Sequence, residues 1–214
     1  MAWYECIGGS GGGGGGDTPI EFTSTQICSN SSTTAGLTLS EDYHNYTFLR
    51  FTANTGAGFL ATPGLLDEIF ARSNNIVCFN RTRTNIYHTY KKTSNTTFIH
   101  QNYRDIYITG IYGLEPNKTA IITDIYKRGS IGYNTVSFTS TDLLDYDLLL
   151  FSCCGSAQDE TVIVDSHFVI SPFDKTFGTK YIMPCVYNGG TNLYMTNTTM
   201  GTYNWFMVQG IKFT

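Results

Sequence analysis

Charge is scarce in this sequence. Only 14% of its 214 residues are Asp, Glu, Lys or Arg, against about 25% in an ordinary soluble domain. The net charge is −4 and no basic stripe stands out. The densest positive spots, Lys91–Lys92 and Arg81 with Arg83, read as solvated loop or strand faces, so no nucleic-acid partner is expected. No run approaches the ~18 consecutive apolar residues of a membrane span. Met1 to Gly16 lacks a charged segment followed by an apolar one. Neither membrane insertion nor export by the general pathway is therefore expected. Paired thiol or imidazole spacings are missing too, with no CxxC among the six cysteines. Buried reduced thiols are the default reading, with no metal and no cofactor.

The patterns of catalysis are equally thin. No GxSxG elbow is present. The glycines between Gly8 and Gly16 follow no predicted strand and lack GK[ST], which excludes a phosphate cradle. His44, His88, His100 and His167 read as ordinary surface or core residues, and Cys153–Cys154 as packing at a strand end. Asp145 and Asp147 would share a strand face, where two carboxylates could serve glycoside hydrolysis or Ca²⁺ binding. Their counterparts in the repeat described below are Asn45 and Thr47, so a solvated strand edge is the simpler reading. The chain reads as a non-enzyme. Six Asn-x-Ser/Thr sequons, at Asn30, Asn45, Asn80, Asn95, Asn117 and Asn197, are what a chain rich in Asn and Thr produces by chance.

What the sequence does have is β-forming residues. Fifteen Tyr and fourteen Phe stand among abundant Thr, Asn and Ser, and aromatic and β-branched side chains suit a pleated surface. Strands are predicted at Thr38–Ser40, Tyr46–Thr52, Asn75–Phe79, Asn85–Tyr90, Thr97–His100 and Ile106–Ile111. The one helical candidate, Pro63 to Ala71, could be a single turn on a rim.

The second half then echoes the first. Asn45-Tyr46-Thr47-Phe48-Leu49-Arg50-Phe51 matches Asp145-Tyr146-Asp147-Leu148-Leu149-Leu150-Phe151, and Tyr107–Ile111 matches Met207–Ile211, both at an offset of 100. Thr84–Tyr87 matches Thr191–Tyr194 at 107, and Thr25–Cys28 matches Thr123–Tyr126 at 98. The expectation is an all-β chain of two tandem antiparallel modules, each a β-sandwich or jelly-roll-like unit. Residues 19–116 and 117–214 would form the modules, with Pro116-Asn117-Lys118 as the junction. Residues 1–18 would be a docking segment, Trp3-Tyr4-Glu5-Cys6, on a Gly-rich tether. Aromatics anchor interfaces and stack on sugars. Tyr87, Tyr90, Tyr194 and Trp205 are therefore candidates for ligand contact.

The opening Met1-Ala2-Trp3-Tyr4-Glu5-Cys6 and its glycine run resemble the start of virion proteins encoded by phages and prophages of gut Firmicutes. Leu39-Ser40 with Asn45-Tyr46, and Gly110-Ile111-Tyr112-Gly113, resemble the strand signatures of their β modules. Asp145-Tyr146 and Gly210-Ile211 repeat them, although Lys212-Phe213 replaces Tyr112-Gly113-Leu114. The resemblance implies a virion structural protein: a tail-fibre, baseplate or head-fibre component that contacts the host surface. Its partners would be other virion proteins, a host glycan or protein, and further copies of itself, with a trimer as the guess. A capsid decoration protein and a carbohydrate-binding or carbohydrate-active module are the alternatives.

Overall fold

A computed structural model describes residues 20–54, 58–72, 76–78, 87–104, 107–131, 135–137, 146–154, 159–165, 175–177, 185–187, 192–195 and 203–214. The protein is all-β: every strand pairing is antiparallel, and the one α-helix among the described residues is α1 (Pro63–Arg72). In the first half the strands are β1 (Phe22–Ser29), β2 (Leu37–Thr38), β3 (Phe48–Ala53), β4 (Gly58–Ala61), β5 (Ile76–Cys78), β6 (Tyr87–Ser94), β7 (Thr97–Arg104) and β8 (Ile108–Pro116). They form two four-stranded sheets, ordered β1-β8-β3-β4 and β2-β7-β6-β5. β1 pairs with β8 and β2 with β7 across long stretches of sequence, and the pairs β8–β3, β3–β4, β7–β6 and β6–β5 complete the sheets.

The second half contributes β9 (Ala120–Ile131), β10 (Thr135–Ser137), β11 (Leu148–Cys154), β12 (Asp159–Asp165), β13 (Lys175–Phe177), β14 (Cys185–Tyr187), β15 (Asn192–Met195) and β16 (Tyr203–Phe213). Its sheets run β9-β16-β11-β12 and β10-β15-β14-β13. Taken strand for strand, that is the order of the first half. The registers correspond as well. Gly113 lies between Thr25 and Leu49, and Gly210 lies between Thr123 and Leu149. A bulge falls at Ile27 on β1 and at Ile125 on β9. A tyrosine ring occupies the place of a side chain at each glycine: a Cβ on Gly113 would lie 2.3 Å from Tyr46, and one on Gly210 would lie 2.4 Å from Tyr146. The ladder therefore puts Gly113, and not Gly110, in the position of Gly210. The offset of the closing strands is 97 rather than 100, because packing against the tyrosine selects the glycine.

Each outer ladder continues one step past its strands. Asn117 N–H donates to the Glu21 carbonyl at 2.8 Å, as Thr214 N–H donates to Thr119 at 2.9 Å.

Sheet β1-β8-β3-β4 is covered on both faces. Leu49, Phe51 and Ile111 share a core with Leu37, Tyr90 and Phe98 of sheet β2-β7-β6-β5. On the opposite face Phe22 meets Phe48 and Phe213 edge-on, with centroids 5.9 and 6.2 Å apart. Leu148, Leu150, Met207, Ile211 and Phe213 join the same cluster. Two-sided burial explains why β3 reads as a near-continuous apolar run, Phe48-Leu49-Arg50-Phe51, and alternates only weakly.

Helix α1 spans ten residues, one beyond the Pro63 to Ala71 helical candidate, and is longer than a single turn. Thr62 caps it, its hydroxyl accepting from Leu65 N–H at 3.1 Å, with Pro63 at the first helical position. Leu65, Leu66 and Phe70 bury the helix against the sheets.

Candidate functional site

A connected set of polar side chains gathers where α1 meets the turn before β3. Asp42 caps the 3-10 turn Tyr43–Asn45, its Oδ1 accepting from His44 N–H at 2.9 Å. That cap turns the His44 ring flat onto Tyr43, with centroids 4.2 Å apart. His44 Nδ1 lies 2.8 Å from Asp42 Oδ1, and Nε2 lies 2.8 Å from Asp67 Oδ2 on α1. Asp67 Oδ1 also accepts from Tyr43 OH and, at 2.6 Å, from Lys92 Nζ on β6. Lys92 donates to the Tyr43 hydroxyl as well, and its ammonium sits 4.9 Å from the Tyr43 ring centroid and 5.7 Å from that of Phe70. Asn95, in the β6–β7 turn, donates to Asp42 Oδ2 at 2.9 Å.

The electrostatics follow from these contacts. The Asp42 carboxyl is held down at about 2, first by the His44 backbone N–H and then by the Asn95 amide. Partial burial pushes Asp67 upward, but hydrogen bonds from Lys92, Tyr43 and His44 outweigh it, and its pKa is lowered. Burial likewise pulls His44 down, yet Asp67 and Asp42 together raise its pKa above the ordinary 6.5. Burial and then Asp67 push the Tyr43 hydroxyl up.

Chemically this is a set of filled bonds. Both ring nitrogens of His44 face carboxylates at 2.8 Å, so neither is turned toward a substrate proton for general-base work. Tyr43 is fully buried, so its hydroxyl meets no solute. Elsewhere, a 340 Å³ groove is lined by Gln26, Ile27, Cys28, Ser29, Thr38, Leu39 and Ser40. None of its lining residues is charged, and burial raises the pKa of the Cys28 thiol, disfavouring the reactive thiolate. Among the described residues no group of three or more His, Cys, Asp and Glu is arranged to hold a metal ion, and no helix is long and apolar enough to cross a membrane.

The residues singled out in the sequence fare unevenly. Trp3, Tyr4, Glu5 and Cys6 lie outside the described residues. Tyr87 is placed on β6, Tyr194 on β15 and Trp205 on β16, with their side chains outside the description. Tyr90 is a correction. It has no exposed surface and packs in the core with its ring edge-on to His100, 6.2 Å between centroids. A tyrosine on the inner face of β6 fills space between sheets and cannot stack on a ligand. Asp145 lies outside the described residues, while Asp147 is exposed and accepts from Phe213 N–H at 2.7 Å, closing the edge of its ladder. Four sequon asparagines use their side-chain amides internally: Asn30 to Ile108, Asn45 to Glu41, Asn95 to Asp42 and Asn117 to Glu21.

The Asp42–His44–Asp67–Lys92 set escaped the sequence reading. Asp42 before a turn was its only local trace. Asp67 and Lys92 reach it through tertiary packing across 23 and 48 residues from His44. No protein-family model matches the chain, and no curated protein or solved structure matches it.

Proposed function

We propose that this chain is a non-enzymatic structural protein of a phage virion. In this reading it is an appendage component that docks through Trp3 to Cys6 and presents two copies of one β module toward the host surface. The observation that carries it is the repeated architecture. The same strand order, register, bulge and Tyr–Gly contact recur in both halves, and one core cluster runs between them. A duplicated, mutually buried scaffold resists bending at its junction, which suits a particle component that carries a surface at a distance. The non-enzymatic part rests on the polar set around His44, whose donors and acceptors are bonded to one another. The virion part rests on the resemblance of the opening segment and strand signatures.

The test is to purify particles, by density gradient, from a lysogen that encodes the chain, and to assay them by mass spectrometry and immunogold labelling. The chain is expected at a fixed copy number in full particles, with label on the tail or its tip. Label spread over the head would replace the appendage with a capsid decoration protein. Absence from the particles would overturn the virion reading altogether.

A further inference from the structure

We propose that His44 is a pH-dependent latch: protonated, its ring ties helix α1 to the turn before β3, and deprotonation loosens the helix. The geometry sets the requirement. Two carboxylates from different elements stand 2.8 Å from the two ring nitrogens, Asp42 on Nδ1 and Asp67 on Nε2. Satisfying both takes two N–H donors, which only the imidazolium has. A neutral ring carries one, so one carboxylate then faces a nitrogen lone pair at hydrogen-bond distance. That contact is repulsive, and it falls on the path from turn to helix.

The surrounding charges fit this role. The groups facing the ring are Asp42 and Tyr43 from the turn, Asp67 from α1, Lys92 from β6 and the neutral amide of Asn95. The Glu41 carboxylate is taken by the Tyr46 hydroxyl and the Asn45 amide. With His44 charged, two carboxylates meet two cations. Without its proton the cluster carries one net negative charge, in a position where Lys92 already serves Asp67. Beneath the latch, Phe70 of α1 packs on Phe98 at 5.1 Å, and Phe98 on Tyr43 at 6.1 Å. A looser helix exposes that apolar stack more often.

The direction of the pH effect follows. The neighbours raise the histidine above its ordinary 6.5. The tie is therefore complete below that value and is lost as pH climbs through the raised midpoint. At His44, side-chain exposure is 39%, so solvent screens part of the effect.

The test uses the full chain. Heteronuclear NMR follows the His44 ring from pH 5 to 9, and hydrogen exchange, corrected for intrinsic rates, follows the amides of residues 62–72. The expected result is a midpoint above 6.5, with both ring nitrogens protonated below it, and a several-fold rise in α1 exchange through that midpoint. In His44→Gln the rise should vanish while the fold, read by its NMR spectrum, persists. Should that variant fail to fold, Asp42→Asn serves: it removes one acceptor charge and should move the His44 midpoint down toward the ordinary value. A midpoint at or below 6.5, an α1 exchange rate indifferent to pH, or a step that survives in His44→Gln would each overturn the latch.

Discussion

Gly113 and Gly210 hold their positions because a tyrosine ring already fills the space where a side chain would stand. At Gly113 an added methyl would sit 2.3 Å from Tyr46, and at Gly210 it would sit 2.4 Å from Tyr146. No ordinary contact is that short, so Gly113→Ala must displace a ring that is itself anchored by the Tyr46–Glu41 hydrogen bond at 2.7 Å. Overpacking of this kind costs about 1–3 kcal/mol. We expect Gly113→Ala to lower the urea midpoint accordingly. In a Tyr46→Ala background the same substitution should be neutral or stabilising by up to about 1 kcal/mol, since alanine restricts the unfolded chain more than glycine does. The double-mutant cycle separates the clash from any general effect of losing a glycine. At this scale the sequence was partly legible. Both tyrosines and Gly210 stand in the matched segments, but the sequence match paired Gly210 with Gly110, three residues short of Gly113. Only the ladder shows which glycine lies under a ring.

Helix α1 shows what a single element takes from its neighbours. Its length and position were nearly readable, from Pro63 onward, because proline at a helix start and an apolar spacing of Leu65, Leu66, Ile69 and Phe70 are local signals. Its cap has a second duty that no local signal carries. The Thr62 hydroxyl accepts from Leu65 N–H and donates to Gln209 Oε1 at 3.0 Å, and Gln209 Nε2 donates to Asp124 at 2.9 Å. Thr62 is 2% exposed and Gln209 is 4% exposed. Thr62→Ala therefore removes the cap, at about 1 kcal/mol, and strands a buried amide oxygen, at about 1–3 kcal/mol more. Thr62→Ser keeps the hydroxyl and should recover most of that loss in a thermal melt. The acid side of the helix is testable as well. Asp42 is held near 2 and Asp67 is also lowered, so both contribute stability that is present above the ordinary carboxylate range and is lost as pH falls through their folded values. Melting temperature should fall between pH 4 and pH 2, and Asp42→Asn should flatten the lower part of that slope.

At the scale of the whole molecule, the question is whether two halves with one strand order behave as one body. Composition and strand spacing made the all-β class readable. They could not show that the outer face of β1-β8-β3-β4 is covered, because the partners of Phe22 and Phe48 lie at the far end of the chain, at Phe213 and along β11 and β16. The packing of Phe22 on Phe213, the shared core with Leu148, Leu150, Met207 and Ile211, and the hydrogen bond between the buried Thr62 and Gln209, which Gln209 extends to Asp124, all cross between the halves. Unfolding one half would therefore strip the other of apolar cover and leave Gln209 or Thr62 without its partner. Neither half should melt alone, so calorimetry on the full chain should show one transition, with calorimetric and van't Hoff enthalpies equal. Phe213→Ala deletes a ring that is 9% exposed at the centre of this contact. Large-to-small changes at such sites cost about 3–5 kcal/mol when burial is complete. The loss falls on the coupling between halves, so this variant should both melt earlier and broaden or split the transition. Two resolved transitions in the unaltered chain would mean that the shared core is too weak to couple the halves, and the rigid junction assumed for a virion appendage would fail with it.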